Sequence, residues 1–177
     1  VIMLGEHSEQ GGLEIDTRQK VSVPFSTPSA LLNSLTMKAF NTAYWHKSKH
    51  NVSQTVGLMP YFYPLDTVGE WNRLYGKKGF LQFQCVVPKL DGIANMRKLL
   101  TEISNSGEGS FLAVLKQFGA GNENLLSFPT EGYTLALDFK VSDTAIKMVR
   151  RLEDMVVDMG GRLYLTKDAV MQASTFK

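Results

Sequence analysis

The rhythm of apolar and polar positions changes near residue 79. Before that point periodicity is weak. EHSEQGGLEIDTRQK (6–20) is polar and loop-like, VSVPFSTPS (21–29) carries two prolines, and SALLNSLTMKAFNTAYW (29–45) is a mixed apolar stretch compatible with a helix. After it the signals become regular. GFLQFQCVVP (79–88) reads as a strand, and LDGIANMRKLLTEISNSG (90–107) as an amphipathic helix. In that helix Asp91 is the expected N-cap, Ile93, Met96, Leu99, Leu100 and Ile103 form one stripe, and Gly107 supplies the stop. SFLAVLKQF (110–118) alternates as a second strand, GAGNENLLSFPTEG (119–132) is a long loop, and YTLALDF (133–139) alternates again. Ser142 then caps DTAIKMVRRLEDMVVDM, whose Ala145, Val149, Leu152 and Val156 share a face and which Gly160 ends; GRLYLT (161–166) is the last strand.

The order β-α-β-β-α-β predicts an α+β fold. Its sheet is mostly antiparallel with a ferredoxin-like core, both helices on one face and the other face open. Side chains alternate across a strand, so Leu81, Phe83 and Cys85, with Tyr133, Leu135, Leu137 and Phe139, should meet the helices. Gln82 and Gln84 fall on the opposite face with Phe80 and Val86, joined by Thr134, Ala136 and Asp138 from the third strand. Lys116 is placed there from the second. Two amides side by side form either a solvated sheet face or the floor of a polar site.

Composition narrows the classes. The 177 residues are 44% apolar and 20% charged, which describes one globular domain with a sizeable core and excludes a disordered chain. Nineteen basic against seventeen acidic residues leave +2, which gives no footprint for nucleic acid. Cys85 is the only cysteine, so no internal disulfide or cysteine metal site is available, and its strand position reads as a small buried hydrophobe. His7, His46 and His50 lack the partners of a metal or catalytic set. No apolar run approaches the roughly 20 residues that span a bilayer. The opening VIMLGEHS lacks an initiator methionine and reads as mid-strand, and MQASTFK stops after a helix start, the pattern expected of an excised domain.

YFYPLDTVGEWNRLYGKKGFLQFQCVVP, SFLAVLKQFGAGNENLLSFP, GYTLALDF and GGRLYLTKD, in this order and spacing, resemble the substrate domain of FAD-linked oxidoreductases of the vanillyl-alcohol-oxidase superfamily. More specifically they resemble the branch that oxidises a decaprenylphosphoryl ribose in mycobacterial cell-wall synthesis, and the likeness runs from about residue 30 to the end. It implies a substrate domain over residues 1–166, with 167–177 starting the return to an FAD-binding domain; that domain's glycine-rich phosphate loop has no counterpart in this sequence. FAD would then cover the open sheet face.

The resemblance also assigns roles. Gln82 and Gln84 become a hydrogen-bonding floor for substrate, with Gln84 also facing the flavin. Lys167 becomes the catalytic lysine beside the flavin ring, where the residues alone would give a surface lysine after a strand. Lys116 becomes a substrate-pocket cation, where the residues alone leave an exposed strand lysine equally open. Phe62, Leu65 and Arg73 wall the pocket, whereas Trp71 reads as a packing residue. Phe62 stands where relatives carry tyrosine, and Thr134 and Ala136 where the mycobacterial enzymes carry asparagine and cysteine, which leaves the substrate open. The implied reaction is hydride transfer from a sugar secondary alcohol to FAD, with a nicotinamide-dependent reductase completing an epimerisation. The implied location is cytoplasmic, at the inner membrane surface. Two alternatives stand beside it: an FAD oxidase of a free sugar, lactone or alditol, and a non-catalytic ferredoxin-like binding module.

Overall fold

The computed structural model describes residues 4–12, 14–15, 21–28, 33–47, 53–63, 66–110 and 112–176. Its first half is lightly structured. Strand β1 (Val21–Ser22) is followed by helices α1 (Ser34–Lys47) and α2 (Leu58–Phe62), and strand β2 (Val68–Gly69) pairs in parallel with β1. A 3-10 turn, Trp71–Tyr75, leads into the second half. Leu4–Ser8 form no strand, contrary to the reading of the first residues; Val1–Met3 lie outside the described residues.

The second half is built as its periodicity predicts. Strand β3 (Phe80–Pro88), helix α3 (Gly92–Ser106), strands β4 (Ala113–Phe118) and β5 (Gly132–Lys140), helix α4 (Asp143–Asp158) and strand β6 (Arg162–Leu163) follow in that order. The four strands form one antiparallel sheet in the order β4-β5-β3-β6, so the fold is α+β. A 3-10 turn, Leu165–Lys167, and a short helix α5 (Ala173–Phe176) complete it.

The core lies between helices and sheet. Leu81, Phe83, Cys85 and Val87 of β3 and Leu135, Leu137 and Phe139 of β5 pack against Met96, Leu99 and Ile103 of α3 and Ala145, Met148, Val149, Leu152 and Val156 of α4. Each large aliphatic buried this way contributes about 1.5–3 kcal/mol against solvent exposure. Cys85 sits fully inside, and burial pushes its thiol up to about 12, with a hydrogen bond to the Leu135 backbone a smaller opposing influence. Ser142 caps α4 through Oγ, which accepts from the Ala145 N–H at 2.9 Å. Gly107 and Gly160 follow the two long helices with φ of 75° and 69°, the left-handed backbone that glycine adopts without a Cβ clash.

Helix α3 begins differently from the sequence expectation. Asp91 occupies the N-cap position in left-handed backbone, and its side chain caps nothing. Gly92 is pressed against the Tyr133 ring so closely that a Cβ there would lie 2.6 Å from Cδ2. That approach fixes the helix rotation so that 92, 96, 99 and 103 face the sheet. Ile93 and Leu100, a turn's fraction away, are 69% and 43% exposed. The last strand is also shorter than GRLYLT, because the 3-10 turn takes over at Leu165. Among the described residues no helix is long and apolar enough to cross a membrane.

Candidate functional site

Cross-strand register arranges the face of the sheet away from the helices. Gln82 lies opposite Asp138, Gln84 opposite Ala136, and Val86 opposite Thr134. On the other side of β5, Ala136 faces Val114 and Thr134 faces Lys116, so Lys116 does join this face, on the exposed edge strand β4. Directly opposed residues share a face, which makes these rows a single surface. The Gln84 amide nitrogen donates diagonally to Thr134 Oγ1 at 3.4 Å.

This surface is neither a solvated face nor a wholly open one. At the start of β3, Phe80 packs against Trp71 (ring centroids 5.2 Å apart) and Tyr75 (4.9 Å). At the far end, Phe128 from the 119–131 loop stacks on Tyr164 at 4.6 Å and meets Phe118 edge-on at 5.8 Å. Phe118 belongs to one edge strand and Tyr164 follows the other, so the loop lies across the sheet as a strap. Arg162 Nη1 fastens it by donating to the Ser127 carbonyl at 3.0 Å. Val86 and Thr134 are buried beneath. The expected open face is therefore a polar strip closed at both ends by aromatic clusters of the chain itself.

Lys167 reaches the strip through backbone. The Tyr164 N–H donates to the Gln84 carbonyl at 2.9 Å, and the Lys167 N–H to the Tyr164 carbonyl at 2.8 Å. The turn ending in Lys167 is thereby fastened to the strand bearing both glutamines. Its ammonium lies near enough to Asp138 to act on that carboxyl.

Asp138 is a site residue to which sequence reasoning gave no role. It is 1% exposed, and among the described residues its Oδ2 has no hydrogen-bond partner. Burial raises its pKa above the usual carboxylate value, while a hydrogen bond from Gln82 and the charge of Lys167 pull it down. Its N–H donates to Ser110 Oγ at 3.1 Å. The available signal was a lone charge at an alternating position inside an apolar strand.

The other expected residues fall as follows. Gln82, Gln84, Thr134, Ala136, Lys116 and Lys167 come together on or beside the strip. Arg73 lines a groove with Phe80 at one end of it, but its Nη1 donates to the carbonyls of Val23 (2.9 Å) and Pro24 (3.2 Å) and its Nη2 pairs with Glu70 at 3.4 Å. Phe62, 59% exposed at the end of α2, has described ring contacts with Tyr61 and Tyr63 rather than with strip residues. Leu65 lies outside the described residues. Trp71 packs, as expected, between Tyr75 and Phe80.

Comparison with known proteins agrees with the likeness read from these segments. The chain is 37% identical over 164 residues to a protein of Mycolicibacterium smegmatis, an alignment covering 93% of this chain. The chain resembles decaprenylphosphoryl-beta-D-ribose oxidase. It spans about a third of that relative's length, since the alignment covers 35% of the oxidase. The uncharacterized protein in mprA 5'region of Streptomyces coelicolor is 31% identical over 75 residues, 42% of this chain and 20% of that protein. No protein-family model matches the chain. The resemblance to the oxidase is consistent with the FAD-linked oxidase superfamily.

Proposed function

We propose that this chain is the substrate domain, residues 1–166, of a flavin-dependent oxidoreductase that oxidises a secondary alcohol of a polyprenyl-phosphoryl pentose. Residues 167–177 begin the return to an FAD-binding domain elsewhere in the protein. The observation that carries the reading is the polar strip: Gln82, Gln84, Thr134 and Lys167 gathered between two aromatic clusters, over a buried carboxylate with one oxygen unpartnered among the described residues. Such a surface fits one side of a flat ring with polar edges and a hydroxyl-rich substrate. The diphosphate and adenine of FAD are assigned to the other domain, which makes the isolated chain inactive.

In this reading the residues divide the work. Gln82 and Gln84 present amide donors and acceptors that orient a sugar hydroxyl. Lys167 places a cation where negative charge develops on the substrate oxygen as its proton leaves, a role worth most where water is excluded. The Trp71, Tyr75 and Phe80 cluster and the Phe128 strap provide that exclusion. Lys116, exposed on the edge strand, meets the phosphoryl group as a point charge. FAD held by the other domain would supply the hydride acceptor for the carbinol carbon. A nicotinamide-dependent reductase completes the epimerisation, and a polyprenyl substrate brings the enzyme to the inner membrane surface.

The deciding experiment measures flavin absorbance of the full-length protein before and after addition of polyprenyl-phosphoryl ribose or free sugars, with Lys167→Ala beside wild type. Bleaching by the phosphorylated sugar, lost in Lys167→Ala with flavin retained, supports the proposal. Bleaching only by a free sugar, lactone or alditol transfers the activity to that substrate class. Protein that carries no flavin leaves a non-catalytic binding module.

A further inference from the structure

We propose that the groove between the 21–28 segment and the Gly76–Gly79 turn binds a phosphate group, carried by inorganic phosphate or by a lipid headgroup. The groove measures about 370 Å³, at the small end of the range for ligand pockets, and its polar lining is Ser26, Asn72, Arg73 and Lys77, with Phe80 beside them. Each of these four side chains can donate, and none is an acid. The side chains of Ser26, Asn72 and Lys77 make no hydrogen bond or ion pair among the described residues. Donors on both walls suit the several oxygens of a phosphate better than the two of a carboxylate.

The backbone holds these walls together. The Val23 N–H donates to the Gly69 carbonyl at 3.0 Å, the Thr27 N–H to the Arg73 carbonyl at 3.0 Å, and Thr27 Oγ1 to the Leu74 carbonyl at 2.7 Å. Gly76, with φ of 78°, stands where a Cβ would lie 3.0 Å from the Thr27 carbonyl oxygen, so glycine alone fits without strain. The Gly79 N–H donates to the Gly76 carbonyl at 3.1 Å, which closes a tight turn with Lys77 and Lys78 at its centre. Arg73 is fixed by the same frame. Its Nη1 uses both hydrogens on the carbonyls of Val23 (2.9 Å) and Pro24 (3.2 Å), and Nη2 gives one to Glu70 at 3.4 Å. The Nε–H and the other Nη2 hydrogen stay uncommitted among the described residues. A guanidinium already held by carbonyls loses little freedom when it takes an anion. Glu70 offsets the Arg73 charge but does not line the groove, which leaves Lys77 as its uncompensated cation.

The test is isothermal titration of the full-length protein with inorganic phosphate, beside sedimentation with phosphatidylglycerol vesicles, both at low ionic strength. Lys77→Ala and Lys78→Ala form the deciding pair: the two lysines are neighbours on one exposed turn and equal in charge, but only Lys77 lines the groove. Lys77→Ala should weaken binding roughly tenfold, the scale of one charge-assisted hydrogen bond. Lys78→Ala should weaken it less than about twofold, as a screened exposed charge does. Asn72→Ala, outside the turn, gives a second reading and should cost about threefold in affinity. This pattern with inorganic phosphate assigns a free phosphate; the same pattern with the vesicles alone assigns a lipid headgroup. Equal losses from the two lysines overturn the proposal, because they show diffuse surface charge rather than a groove. Wild-type protein that binds neither probe overturns it as well. The measurement needs neither flavin nor sugar, so its outcome is independent of the oxidase reading.

Discussion

The backbone N–H of Tyr164 donates to the carbonyl of Gln84 at 2.9 Å, so one strand carries the glutamines and also holds the turn that ends in Lys167. The approach depends on Gly161, where a Cβ would lie 2.5 Å from the Val86 carbonyl oxygen and 2.8 Å from Val156 Cγ1. Gly161→Ala must therefore push β6 off β3 or displace α4. We expect a loss of about 2–3 kcal/mol, at the upper end of ordinary single substitutions, read as a lower urea midpoint at unchanged slope. An unaltered midpoint shows that β6 is not held in this register.

The strap makes a separate prediction. Phe128 is buried between rings that come from opposite edges of the sheet, so Phe128→Ala removes both contacts and uncovers Val86 and Thr134. The expected cost is about 3 kcal/mol, accompanied by rapid proteolytic cleavage within 119–131. Leu125, 96% exposed on the same loop, is the control. Leu125→Ser should stay within about 0.5 kcal/mol of wild type.

How far the sequence disclosed this arrangement depends on the range of the interaction. Alternation in β3 and β5 announced which side chains meet the helices, because a packed face repeats every two residues and a solvated loop does not. Ser142 and Gly160 marked the ends of α4 by local backbone chemistry that any tertiary setting respects. Phe128 was invisible for the opposite reason: it sits in a Gly, Asn and Pro loop, and its stacking on Tyr164 exists only once the two sheet edges are in place. Asp138 was visible as a residue but not as a buried one, since a lone charge on an alternating strand also fits a wet face. Ile93 shows the same limit in the helix. Its spacing suited the stripe, but the close approach of Gly92 to Tyr133 turned it outward.

Glu153 gives the fold a pH dependence of its own. Burial in α4 raises its carboxyl to about 7, with Asp168 and then Asp154 adding to the shift and Arg150 opposing it. The folded state thus holds a proton that the unfolded chain releases near the ordinary glutamate value, so this contribution is fully present at low pH and is lost as pH rises through about 7. Glu153→Gln should remove that slope, making the variant more stable than wild type at pH 8 by about 1–2 kcal/mol, a range reduced from the full shift for solvent screening. Thermal unfolding at pH 5 and pH 8 reads the difference. A wild-type curve as flat as that of the variant between those values shows that the carboxyl is not held protonated.

Lys116 and Gln84 should separate binding from turnover in the full-length protein. Lys116 stands on the exposed edge strand in register with Thr134, where an ammonium offers a phosphoryl group long-range attraction in high dielectric. Lys116→Ala is therefore expected to raise KM for a phosphorylated substrate by up to about tenfold with little change in kcat, and the difference from wild type should shrink in 0.5 M salt as the Debye length contracts. Gln84 is half-buried in the floor and bonded to Thr134, so its amide is held in one orientation before any ligand arrives. Gln84→Ala removes that preorganised group and should lower kcat by about ten- to a hundredfold, with KM changing less. Steady-state kinetics at two ionic strengths distinguishes the pair. Equal, salt-insensitive losses in both variants would show that Lys116 and Gln84 act as one structural unit rather than as a recruiting cation and a fixed floor.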